Sequence, residues 1–303
     1  MSAHLSREAV LEREQRWRMP VALGTFAAIG LLVASMIVVS GIGGGGEAEV
    51  LREVERHPSD ITVSGALQAL SLALLTLPLV YLFRAARARS DRVWGQLIGL
   101  IVAAPLFLAA GALLNSVATN EAADEFAVGK VSADITRQEA VGECRSDRAD
   151  DGKQFREDFG AGAGAIDDCA TEKVEDDAAT NAATEAPSRS FAVWIGLGGS
   201  IGFAFGLAYS ALWAMRVGLL TRFWGSLGVA LGIAALLPLI QFSILWFLYF
   251  AFLVAGWVPG GRPPAWAAGE AIPWPTPGEK AAEELAQAGD ELPAERPQDS
   301  DSA

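Results

Sequence analysis

The sequence predicts an all-α fold: a polytopic transmembrane helical bundle of about six spans with one long extracytoplasmic acidic loop. Three observations carry that expectation. Of the 303 residues 51% are apolar, and they gather into long blocks without charge. Those blocks are apolar all round, whereas a soluble helix keeps one wet face, and a chain of this size cannot bury so many two-sided helices in its own core. The formal charge of −13 is carried almost wholly by the segments between and after the blocks.

Taken in order, the uncharged blocks are 19–42, 61–83, 93–120, 190–215 and 223–261. Each exceeds the roughly 20 residues that cross about 30 Å of hydrocarbon as a helix. The first is too long for a cleavable signal peptide, and Ser40-Gly41-Ile42 before a glycine run offers no small-x-small cleavage site. The last is too long for one crossing. Pro238 and Gln241 sit where a tight turn would divide it, because proline lacks a donor and disrupts the preceding turn. Two short helices in a hairpin are expected, giving six spans, with five as the alternative. The resulting division is a basic leader 1–19, spans one to three over 20–115, an acidic loop 116–190, spans four to six over 191–258, and a tail 259–303.

Orientation follows from the arginines. Arg7, Arg13, Arg16 and Arg18 precede the first block; Arg84, Arg87, Arg89 and Arg92 follow the second; Arg216 and Arg222 flank the turn after the fourth. Basic residues in short loops stay in the cytoplasm. The N-terminus is therefore expected inside a bacterial plasma membrane and the 116–190 loop outside it. That loop holds 18 acidic and 8 basic residues and both cysteines of the chain, Cys144 and Cys169. Export of both cysteines in one loop suits a disulfide, with two unpaired thiols as the alternative. Ala161-Gly-Ala-Gly-Ala165 and the Ala/Thr/Glu run at 178–186 suggest that parts of the loop are disordered. Asp147-Arg-Ala-Asp-Asp-Gly152, ending at Asp158, resembles a calcium loop, but Ala149 and Asp158 depart from its ligand pattern. Diffuse cation binding, a protein partner or a merely solvated loop are the readings left open.

The tail begins Pro259-Gly-Gly-Arg-Pro-Pro-Ala-Trp266 and continues through Ile272-Pro-Trp-Pro-Thr-Pro277. Proline this dense excludes regular helix. Trp257, Trp266 and Trp274 suit the headgroup layer. A short helix over 279–288 and then disorder are expected beyond.

Between apolar helices in lipid, close backbone approach supplies the packing. The fourth span reads Gly198-x3-Gly202-x3-Gly206-x3-Ser210, the third Gly95-x3-Gly99, the second Gly65-x3-Ala69 and the fifth Gly228-x3-Gly232. The fourth span is expected at the centre of the bundle, and Pro78 and Pro105 are expected to kink spans two and three. Polar residues inside the blocks include Thr25, Gln68, Thr76, Gln96, Asn115 and Gln241. Gln68 and Gln96 are expected to bond to each other or to line a polar cavity.

Chemistry is poorly supplied. No ionisable residue lies within a span, which argues against proton relays and voltage sensing. His4 and His57 have no cysteine near them, and neither a Gly-x-Ser-x-Gly elbow nor a phosphate-binding loop occurs. No catalytic residue, metal site, cofactor or nucleic-acid partner is expected. The stretch Met215-Arg-Val-Gly-Leu-Leu-Thr-Arg-Phe-Trp-Gly-Ser-Leu-Gly-Val-Ala-Leu-Gly232, with Pro259–Trp266, resembles uncharacterised multi-pass bacterial membrane proteins with a domain of unknown function. The resemblance covers the C-terminal third and implies a helical membrane fold without an assigned activity. A non-enzymatic scaffold or sensor with an exposed acidic loop is the leading expectation, ahead of a permease for a small neutral solute.

Overall fold

A computed structural model describes residues 6–43, 46–162, 164–236, 242–275 and 278–279. The described residues are helical throughout, with no strand among them. They run α1 (Arg7–Val38), α2 (Glu47–Arg56), α3 (Pro58–Leu74), α4 (Thr76–Arg89), a 3₁₀ turn (Gly95–Leu97), α5 (Ile98–Ala127), α6 (Arg137–Asp150), α7 (Gly152–Asp158), α8 (Ala165–Glu185), α9 (Arg189–Arg216), α10 (Arg222–Ala234), α11 (Ser243–Ala255) and α12 (Pro264–Ala268).

Four of these units are long and apolar enough to cross a membrane: Arg7–Val38, Pro58–Arg89, Gly95–Ala127 and Arg189–Arg216. The second is α3 continued by α4 with a break at Leu75. Pro78 causes it, since its ring and missing N–H displace the carbonyl one turn earlier. Pro105, by contrast, lies inside an uninterrupted α5.

The last apolar block differs from the expectation of two further spans. It forms α10 and α11, 13 residues each, or about 20 Å, short of the hydrocarbon thickness. The register explains the arrangement. α10 runs antiparallel along α9, with Gly225 on Met215, Gly228 on Ala211 and Gly232 on Ala204 and Ala208. Its last turn therefore lies near the level of Ala204, about 22 Å short of Arg189 at 1.5 Å per residue. α11 returns alongside, Trp224 stacking on Tyr249 at 3.5 Å. Both outer ends of the hairpin lie at the bundle end that carries the arginines. Pro238 and Gln241, expected at its turn, lie outside the described residues.

The bundle is built on α9, which packs against α5, α10 and α4. Its antiparallel seam with α5 is very close: Gly202 meets Ala104, Gly199 meets the backbone of Leu108, and Gly111 meets the backbone of Gly196. α1 packs on α3, α4 and α11. Around the outside, large apolar side chains stand exposed, among them Phe191, Trp194, Ile201 and Phe205 on α9 and Leu106 and Phe107 on α5. A water-soluble monomer seldom leaves such surfaces bare.

The acidic region departs from the expected loop with disordered parts. α6, α7 and α8, joined by α2 and the far end of α5, form a helical head on the bundle end away from the arginines. Ala140, Cys144, Phe155, Ala165, Cys169 and Ala170 form one small core, and Ala48, Leu51, Val54, Ala118, Ala122 and Ala179 belong to a second. The 178–185 run continues α8, with Ala179 and Ala182 fully buried. Alanine lets these helices approach closely while adding little hydropathy, and for that reason the run reads as disordered in sequence.

Candidate functional site

Two places combine shape with polar groups: a cavity within the bundle and the surface of the head. The cavity holds about 480 Å³, is partly open to the outside, and is lined by α1, α3, α5, α9 and the inner ends of α10 and α11. Gln68, Ser71, Asn115, Ser200 and Ser243 supply its polar groups, and no ionisable side chain lines it. The Ser71 hydroxyl is engaged, donating to the Ala28 carbonyl at 2.7 Å, and the Asn115 amide oxygen accepts from Arg189 at 2.8 Å. The Ser243 hydroxyl is buried, with no hydrogen-bond partner among the described residues. A buried unpaired hydroxyl is costly, so this oxygen is open to a bond from an occupant. The chemistry on offer is recognition of an uncharged molecule with an apolar body and a hydrogen-bonding group.

Gln68 therefore lines a cavity, but without Gln96. Gly65 packs on Ser116 and Ala112, which sets Gln68 near residue 110 of α5. Gln96 is exposed in the 3₁₀ turn at the opposite end, about 20 Å away. Gln241 lies outside the described residues.

The predicted glycines divide in the same way. Gly202, Gly206 and Ser210 are buried on α9. Gly198 faces outward with open space around it, and Gly199 holds the seam position instead. A four-residue repeat drifts around a 3.6-residue helix, so the buried stripe shifts register after two turns. Gly99 is also exposed, and Gly95 lies in the 3₁₀ turn, where the Arg87 guanidinium fills the place of a side chain. Gly228 and Gly232 are buried against α9.

In the head, Cys144 and Cys169 form a disulfide joining α6 to α8, with Cα atoms 6.1 Å apart. Carboxylates serve as joints. Asp176 accepts from the Ala48 N–H at 3.0 Å at the start of α2, and Asp177 accepts from the N–H groups of Asp134 and Ile135. Lys173 bridges Glu143 and Asp147, both at 3.0 Å. Burial disfavours the Lys173 ammonium, but the bonds to Asp147 and Glu143 outweigh it and raise its pKa. Thr136 and Glu139 form a capping box at the start of α6, and the backbone N–H and hydroxyl of Thr136 hold the Glu139 carboxyl below its ordinary range. One concavity gathers Glu49, Asp168, Glu172, Glu175 and Asp176 around Arg52 and Arg56. Burial, then the charges of Asp176, Asp158, Glu175 and Glu49, push the Glu172 carboxyl up.

The calcium-like motif is a helix junction here. Asp147 lies in α6 and bonds Lys173, while Asp151 caps α7 by accepting from Gln154 N–H at 3.1 Å. No group of three or more His, Cys, Asp or Glu able to hold a metal occurs among the described residues. His57 sits 3.4 Å from Glu53, and His4 lies outside the described residues.

The tail corrects two expectations. Pro264–Ala268 is a helical turn, and Trp266 is buried, donating to the Leu219 carbonyl at 2.9 Å and stacking on Tyr81 at 5.7 Å. Trp274 donates to the Leu220 carbonyl at 2.8 Å, and Ile272 N–H to that of Val217 at 3.1 Å. The segment thus straps the turn between α9 and α10. Only Trp257 of the three is well exposed. Beside this strap, Arg89 makes a buried ion pair with Glu14 at 2.5 Å, and Arg18 bonds the Val254 carbonyl at 2.8 Å and that of Ala255. Burial holds the Arg262 guanidinium below its ordinary pKa, next to Tyr81 and Arg18. The helix expected over 279–288 lies almost wholly outside the described residues.

Comparison with known proteins gives no match to any family model, to any curated protein or to any solved structure.

Proposed function

We propose that the chain is a non-enzymatic integral membrane protein that presents its acidic head outside the cytoplasm as a recognition surface. The observation that carries this is the opposition of the two ends: ten arginines cluster about one end of four membrane-length helices, and an ordered, disulfide-bonded acidic unit stands on the other. The positive-inside rule puts the arginine end in the cytoplasm, and a disulfide persists in an exported compartment. In this reading the bilayer of a bacterial plasma membrane solvates the exposed apolar belt. The chain crosses four times, the α10–α11 hairpin dips in from the cytoplasm and returns, and both termini stay inside. Kinship with uncharacterised multi-pass proteins, resting on 215–232 and 259–266, belongs to the same proposal and assigns no activity.

A cationic protein partner suits the head better than a bound divalent ion, because its carboxylates are spread over a surface and several are already engaged as helix joints. Sidedness is tested with the native cysteines. A membrane-impermeant maleimide should label intact cells only after reduction; labelling that requires lysis would overturn the orientation. Function is tested by replacing 124–186 with a short Gly/Ser linker. That splice is feasible because the Ser188 N–H lies 3.1 Å from a Glu121 carboxylate oxygen. A variant that still inserts yet complements a deletion strain in full would sink the recognition role.

A second reading, passage or sensing of a small neutral solute, is favoured by the bundle cavity and by the Ser243 hydroxyl, which has no partner among the described residues. Ser243→Cys should react with methyl methanethiosulfonate added to intact cells, the native cysteines being oxidised and silent. An unreactive thiol in an inserted protein removes this reading.

A further inference from the structure

We infer that the slot between α1 and α4 at the arginine end is a site for one anionic phospholipid, its phosphate held by Arg13 and Arg84. The inference rests on the membrane reading above. The slot holds about 300 Å³, within reach of the small-ligand range. Its walls are ordered along their length. Val21, Leu77 and Val80 line the part toward the middle of the bundle, Trp17 follows, and Arg13 and Arg84 stand toward the outer end, with Val10 and Ala88 about one turn beyond them. From Leu77 to Arg84 is about 10 Å of helix. A phospholipid presents the same sequence of chemistries at the same depth: acyl chain, glycerol backbone, phosphate.

The two helices are held in antiparallel register there. Tyr81 donates its hydroxyl hydrogen to the Glu14 carbonyl at 3.3 Å, and Gly24 packs on Leu77. Arg13 and Arg84 consequently flank the slot within about one helical turn of each other in height. What separates them from their neighbours is that the fold does not use them. Arg89 is consumed by Glu14 and the Ala265 carbonyl, and Arg18 by the last carbonyls of α11. Arg13 and Arg84 are both exposed, and neither side chain has a hydrogen-bond or ion-pair partner among the described residues. Glu14 also reaches the slot, but its carboxylate is neutralised by Arg89 at 2.5 and 3.0 Å, so the outer end is net positive. Two free guanidinium groups over an apolar slot match a phosphodiester with attached chains; a guanidinium binds phosphate through paired donors. Basic pockets between spans on the cytoplasmic side commonly take anionic headgroups. A zwitterionic lipid would bring a choline or ethanolamine cation to the same end and lose that preference.

The test uses the full chain in detergent micelles, with phosphatidylglycerol and phosphatidylcholine of matched acyl chains as probes. Native mass spectrometry counts retained lipid, and thermal unfolding reads stabilisation. Retention should favour phosphatidylglycerol. The preference should fall about five-fold per arginine removed, the equivalent of about 1 kcal/mol each, in Arg13→Gln/Arg84→Gln. Arg16→Gln/Arg92→Gln, with the same charge change outside the slot, should keep it. Equal retention of the two lipids by the unaltered chain overturns the site, whatever the variants do. So does a preference that survives the Arg13/Arg84 pair, or one lost equally in the Arg16/Arg92 pair. Inorganic phosphate stabilising the chain as well as the lipid does would overturn the assignment to lipid. A chain recovered from the soluble fraction without detergent would instead refute the membrane reading itself. An inserted chain with no lipid preference refutes only the slot.

Discussion

In the bundle, glycines bring helices together, several of them against backbone: Gly199 on Leu108, Gly111 on Gly196, Gly232 on the Ala204 carbonyl. In the head, contacts are made by alanine and a disulfide, with carboxylates bonded to the backbone N–H groups of neighbouring segments. On the membrane reading proposed above, the difference tracks the solvent. Lipid gives apolar helices no reason to leave it, so contact must come from close, uniform packing. A small unit in water gains from burial but has little area to bury, and alanines contribute little each. Below the size at which a core suffices, a covalent tie makes up the shortfall.

This contrast can be broken most decisively at the disulfide. Cys144→Ser with Cys169→Ser should cost the head about 3 to 4 kcal/mol in the chain-entropy account of a loop of this length. Hydrogen exchange should rise across α6 to α8 and stay unchanged in α5 below Ser116 and in α9. Loosening of the bundle to the same degree would show that the two regions are one cooperative unit.

A somewhat smaller effect is expected from overfilling the bundle. Gly199→Leu forces a side chain into the Leu108 backbone and should cost about 2 to 3 kcal/mol in a detergent unfolding titration. Gly198→Leu, one residue away and facing open space, should be nearly neutral. Equal costs would mean that α9 is rotated from the register described here.

The smallest effect sharpens the head's electrostatics. Glu172 is raised by burial and by surrounding carboxylates, so the folded state binds its proton more readily than the unfolded chain does. Its contribution therefore becomes unfavourable as pH rises through the carboxylate range, and neutral pH is where it costs most. Glu172→Gln should raise the melting temperature of the head by about 1 to 2 °C at neutral pH, since the group is largely solvent-screened. The gain should vanish toward acid pH. A loss of stability at neutral pH would mean that Glu172 has a favourable partner.

Much of the bundle was legible in the residues. Charge-free stretches mark the four long helices, because no other solvent tolerates them at that length, and Pro78 marks the break before α4. The cavity was only half legible. Gln68 was identifiable as a polar group in an apolar block, but its company was not, since Gln96 lies at the other end of α5 and Asn115 and Ser243 arrive from distant segments. The alanine-rich run of the head was misread because alanine gives weak hydropathy, and the helical repeat of Ala179, Ala182 and Ala186 resembles low complexity. Trp266 was misplaced at a membrane surface for a related reason: an indole beside a span suits that layer equally well until a carbonyl such as that of Leu219 is found within reach.

By itself the sequence determined which segments are long and free of charge, where the arginines fall along the chain and the pairing available to two cysteines, because length, charge and cysteine count are properties of the chain alone. Only the tertiary structure decided how deep the last hairpin reaches, which glycines meet backbone, and which arginines are left without work. Those depend on register between helices, and register is fixed by side chains far apart in the chain coming to the same height.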